Sequence, residues 1–127
     1  MKVTKKTLLR FLLPLAFVLA CDTKKELMDF DYTTWVADPN GCSGKRLALQ
    51  SSLENNLESL KTLNQNEVKE LLGKPDKNEL YTRSQKFFIY QIGPGEECGS
   101  SLTTPSPYLS IRFNAMGLAK EVLIYTR

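Results

Sequence analysis

The stretch LNQNEVKELLGKPD (residues 63–76) is followed, after a short interval, by KFFIYQI (residues 86–92). The change of pattern between them decides the fold. In the first stretch Asn64 can cap a helix, and Glu67, three residues on, can reach back to the Asn64 amide as in a capping box. Val68, Leu71 and Leu72 make a buried stripe, Gly73 suits a left-handed C-terminal residue, and Pro75 prevents continuation. In the second stretch the apolar period drops to two. Phe88, Tyr90 and Ile92 share one face, and Phe87, Ile89 and Gln91 the other. A helix gives way to a strand.

Working outward, YLSIRF (108–113) points Leu109, Ile111 and Phe113 inward and Tyr108, Ser110 and Arg112 outward. Asn114–Gly117 has turn chemistry, Leu118–Thr126 reads as a returning strand, and Glu79–Arg83 as a short edge strand. Residues 93–107, rich in Gly, Pro and Ser, form a long irregular loop. Upstream, leucines at 49, 53, 57 and 60 mark one face of a helix predicted to run unbroken from Lys45 to Lys61. Two helices followed by an antiparallel meander predict a two-layer α+β domain, with both helices on one face of a three- to four-stranded sheet. The other sheet face carries Phe87, Ile89 and Tyr108, which is apolar for free solvent. Either residues 30–36 cover it or a partner does.

The segment FDYTTWVADPNGCSG (30–44) places Phe30, Tyr32 and Trp35 before the turn formers Asp38-Pro39-Asn40-Gly41. Its aromatics either pack on the domain, the favoured reading, or form an exposed docking patch.

The first twenty residues are of another kind. Lys2, Lys5, Lys6 and Arg10 precede an apolar run, Phe11 to Ala20, that is too short to span a ~30 Å hydrocarbon layer. Val18-Leu19-Ala20-Cys21 resembles the bacterial lipobox, which implies cleavage before Cys21 and acylation of its thiol and of the new amine. Several acyl chains, at ~0.8 kcal/mol per buried CH₂, make a lasting anchor. The competing reading is an uncleaved signal anchor or a buried helix with a chance cysteine. The expected organisation is a signal peptide at 1–20, a polar tether at 21–29 and a single domain at 30–127.

Removing residues 1–20 takes four of seventeen basic residues and none of the fourteen acidic ones, so the formal +3 falls to about −1. No basic face survives to bind nucleic acid. Of the three cysteines, assigning Cys21 to lipid leaves Cys42 and Cys98 as a pair. In an oxidising periplasm their default is a disulfide, closing a loop worth ~4 kcal/mol in the chain-entropy picture. The alternative is two free thiols, although no CxxC motif is present.

The order LKTLNQNEVKELLGKPD, FFIYQIG, YLSIRFNAMG and VLIY, together with the lipobox, resembles the outer-membrane lipoprotein domain of the BamE (SmpA/OmlA) type. The matching positions are Val68, Leu72, Gly73 and Pro75 in the second helix, and Ile111, Phe113 and Gly117 in the hairpin. The resemblance covers roughly residues 57–125. Three features depart from the family pattern: Thr62-Leu63-Asn64 before the second helix, a longer first helix, and the Cys42/Cys98 pair. The resemblance implies a role in outer-membrane protein assembly. The same shape is similar to that of β-lactamase-inhibitory proteins, which bind a protein through a concave sheet; shape alone does not choose between these.

The sequence contains no histidine. That removes Ser-His-Asp and Cys-His nucleophilic sites and the usual His-bearing zinc centres. Glu54 and Glu58 fall on a solvated helix face, Glu67 on a cap, and Glu96-Glu97 in the loop, so none forms an acid/base pair. Asp38-Pro39-Asn40-Gly41 lacks the twelve-residue ligand spacing of a calcium loop, and GPGEECG lacks the Lys and following helix of a phosphate cradle. The expectation is a non-enzyme without cofactor or metal, anchored at Cys21 and acting on an envelope protein. Its expected contact surface is Trp35, Phe87, Ile89, Tyr108 and Arg112. An inhibitor or binder of a periplasmic or foreign hydrolase is the rival reading. The favoured address is the outer membrane facing the periplasm, with the inner membrane or cell surface as alternatives. Asp22 resembles the inner-membrane retention signal of enteric bacteria.

Overall fold

The structure, a computed structural model, describes residues 25–99 and 105–127. The expected signal peptide, Cys21 and residues 22–24 lie outside the described residues. The chain is α+β. Among the described residues five short α-helices, α1 (Tyr32–Val36), α2 (Lys45–Ala48), α3 (Gln50–Glu54), α4 (Leu57–Leu60) and α5 (Gln65–Leu72), precede four strands. These are β1 (Lys77–Tyr81), β2 (Gln85–Gln91), β3 (Pro107–Phe113) and β4 (Ala119–Thr126), which pair antiparallel in the order β1-β2-β3-β4. No helix among the described residues is long and apolar enough to cross a membrane.

The α5 signals read from sequence are present. Asn64 Oδ1 accepts from the Glu67 amide at 3.0 Å, and Glu67 Oε2 accepts from the Asn64 amide at 2.9 Å. Gly73 ends the helix at φ 76° and ψ −170°, outside the left-handed helical conformation expected of it but still a region open to glycine, and a Cβ there would meet Val36 at 3.0 Å. The β3–β4 turn is closed by the Asn114 side chain, whose Oδ1 accepts from the amides of Met116 and Leu118.

The predicted unbroken helix from Lys45 to Lys61 is instead three pieces, α2 to α4. At Leu49 the amide bonds back only three residues, to the Arg46 carbonyl. At Asn56 the side chain competes with the helix: Nδ2 donates to the carbonyls of Ser52 and Met28, and Oδ1 accepts from the Met28 amide at 2.9 Å. The break joins the incoming chain to the helices. Leu27, 8% exposed, enters the core, so the packed domain reaches back into the segment expected to be a tether (21–29) rather than starting at residue 30.

Leu53, Leu60, Val68 and Leu72 meet Phe88, Tyr90, Ile92, Leu109, Ile111 and Phe113 in one core. Every one of these side chains is fully buried, each worth ~1.5–3 kcal/mol relative to exposure. The inward strand residues are the ones the alternation predicts.

Candidate functional site

Trp35 decides what covers the sheet. Asp31 caps α1, its carboxylate accepting from the Thr34 amide and hydroxyl, and this turns Trp35 inward. Trp35 is 0% exposed; it packs on Phe30 and on Tyr90, with ring centroids 5.4 and 6.3 Å away, and its Nε1–H donates to the Leu72 carbonyl at 2.9 Å. Trp35 is therefore a core residue and does not belong to the contact surface expected from sequence. The aromatic segment packs against the helices and the inward side chains of the strands, and not against the second sheet face.

That second face is laid out by strand register. One row runs Lys77, Ile89, Ser110, Leu123, the next Glu79, Phe87, Arg112, Glu121, and a third Gln91, Tyr108, Tyr125. Phe87, Tyr108 and Arg112 thus share a surface, as expected. Ile89 does so only as its floor, because it is 3% exposed, and offers a partner no area. Around it stand groups the sequence reading did not assign: Tyr81 at 53% exposure, Leu123 at 40% and Tyr125 at 43%. The alternation of the last strand could have placed Leu123 and Tyr125 there. Tyr81 meets Phe87 edge-on at 4.8 Å, and Tyr108 stacks on Tyr125 at 5.7 Å. The Arg127 guanidinium lies 4.4 Å above the Tyr108 ring. The charges on this face are largely matched, with Arg112 on Glu121 at 3.2 Å and Lys77 on Glu97 of the loop at 3.0 Å. Tyr81 donates its hydroxyl to Glu79, a bond that raises the phenol pKa. Rings with polar tips and paired charges suit a polypeptide surface, which they can stack on and hydrogen-bond.

The Cys42–Cys98 disulfide is formed, across 56 residues of sequence. It ties the loop that carries Glu97 to the corner before α2. Gly41, at φ 66°, makes this corner possible; a Cβ there would sit 2.6 Å from the Ile92 carbonyl oxygen.

Behind the corner lies a buried polar network with no counterpart in the sequence reading. Arg46 donates to the Trp35 carbonyl at 2.9 Å, to Asp76 at 2.6 Å and to the Gln91 carbonyl at 3.1 Å. Asp76 also accepts from the amides of Asn40 and Gln91. Asp38, 1% exposed, accepts from the amides of Ser43 and Arg46. Burial opposes its ionisation, but those bonds outweigh burial and hold its pKa below the ordinary carboxylate value. Its oxygens are thus already engaged within the fold. Tyr90, pushed upward first by burial and then by Asp76, stays a neutral donor to the Gly73 carbonyl. An open cleft of about 470 Å³ lies beside Arg46 and Asp76, between Tyr32, Val36 and Lys74, and the two charges at its base are bonded to each other. Among the described residues no group of three or more His, Cys, Asp or Glu side chains could hold a metal ion.

No family model matches the chain, and no curated protein or solved structure matches it either.

Proposed function

We propose that this chain is a lipid-anchored, non-catalytic envelope protein that works by protein–protein contact, as a scaffold or accessory of outer-membrane protein assembly. The observation that carries this reading is the aromatic sheet face of Phe87, Tyr108, Tyr125 and Arg112, left uncovered by residues 30–36. The finer likeness belongs to the same reading: a BamE (SmpA/OmlA)-type domain with its helices layered on the opposite sheet face, carried on Cys21, in the outer membrane and facing the periplasm. Tethering would raise the local concentration of such a face near membrane partners, so that a modest interface suffices.

The test is capture by the full-length chain under mild detergent, with Tyr108→Ala/Tyr125→Ala as the paired variant. Recovery of barrel-assembly components that is lost in the variant supports the reading. Recovery of a soluble hydrolase instead favours the inhibitor alternative, and recovery indifferent to the variant rejects the face. Metabolic palmitate labelling with envelope fractionation tests the anchor and its destination.

A further inference from the structure

Residues 25–29 are built into the helical side of the domain. Lys25 Nζ lies 3.5 Å from Glu67 at the start of α5, and Leu27 is in the core. Asn56 bonds both the amide and the carbonyl of Met28, and Ser52 Oγ donates to the Asp29 carbonyl. The chain is therefore held from Lys25 onward, beside a cleft that it lines together with Phe30, Glu70 and Leu71. Only four residues of chain lead from Cys21 to Lys25, and four extended residues reach at most ~14 Å. The hydrophobic core separates this segment from the rows of Phe87, Tyr108 and Leu123.

We propose that the side of the domain around Lys25, Met28 and Glu70 is a bilayer-facing surface, and that the aromatic sheet face is turned away toward the aqueous side. This rests on the lipid anchor at Cys21 proposed above. Met28, 77% exposed, is the apolar group this side presents. Glu26, Glu67 and Glu70 outnumber Lys25 around this cleft, so headgroup attraction does not supply the contact. The short covalent reach does. Turning the sheet face to the lipid instead would require peeling residues 25–29 away, with loss of the Leu27 burial and the Asn56 bonds.

The experiment uses the full-length acylated protein in phosphatidylethanolamine vesicles that carry a headgroup nitroxide lipid, with a fluorophore on Met28→Cys or on Leu123→Cys. The label at 28 is expected to lose most of its emission and the label at 123 to keep it, with no gain in quenching when phosphatidylglycerol is added. Equal or reversed quenching on bound protein overturns the orientation while leaving the anchor standing. Undiminished vesicle binding by Cys21→Ser, or a native mass without acyl groups, overturns the anchor and the orientation with it.

Discussion

Arg46 and Asp76, thirty residues apart in sequence, meet at 2.6 Å with side chains only 3% and 6% exposed. The pair joins α2 to the start of the sheet. Asp76→Ala strands a guanidinium and the amides of Asn40 and Gln91, and a loss of about 3–5 kcal/mol is expected. Urea unfolding followed by fluorescence of Trp35, the only tryptophan, measures it. The double variant Arg46→Met/Asp76→Leu is expected to recover only the share due to the lone guanidinium, since the amides of Asn40 and Gln91 stay unpaired.

Trp35→Ala removes the largest buried side chain and the bond to the Leu72 carbonyl. A loss of about 3–5 kcal/mol is expected, read as a lower thermal midpoint. Tyr125→Ala, on the open face, is expected to stay within about 0.5 kcal/mol of wild type. A similar loss from both variants would contradict the division between core and face.

Asn64→Ala removes the cap of α5 and is expected to cost about 1 kcal/mol. Circular dichroism during urea unfolding checks this.

Acid is expected to weaken the fold. Asp38 has a pKa held below its ordinary value, and so does Glu67, chiefly through the Asn64 amide. A carboxylate whose pKa is lower folded than unfolded stabilises above the unfolded value, near pH 4 for Asp, and loses that contribution as pH falls through the folded value. The urea midpoint should therefore be level near neutrality and decline below about pH 4. In Asp38→Asn the decline should be shallower, from a lower starting stability.

Reduction of Cys42–Cys98 is expected to lower stability by about 4 kcal/mol, the chain-entropy value for a loop of this length. Alkylation before and after reductant, read by mass, should find these two thiols only afterward.

What the sequence made legible was local. Asn64 and Glu67 are three residues apart, and the alternation of Phe88, Tyr90 and Ile92 needs no distant partner to be read. The disulfide followed from parity once Cys21 was set aside. What escaped was long-range. The helix break at Asn56 depends on Met28, twenty-eight residues earlier, and no periodicity encodes it. That Trp35 packs on the domain is legible in its aromatic segment; the helix that aims it, only five residues long and capped by Asp31, shows no period. The Arg46–Asp76 pair sits where each residue alone reads as a surface charge. The contact face was half legible: the strands gave Phe87, Tyr108 and Arg112, and the alternation of the last strand could have given Leu123 and Tyr125, while Tyr81 needed the register of the edge strand.

The close seating of Gly41 against the Ile92 carbonyl also bears on oxidative maturation. Cys42 follows that glycine directly, so in the folded domain the seating of the corner on the end of β2 holds its sulfur beside that of Cys98. A settled corner should therefore favour the bond, and a Gly41→Val chain should pair these thiols less completely although neither cysteine has been touched.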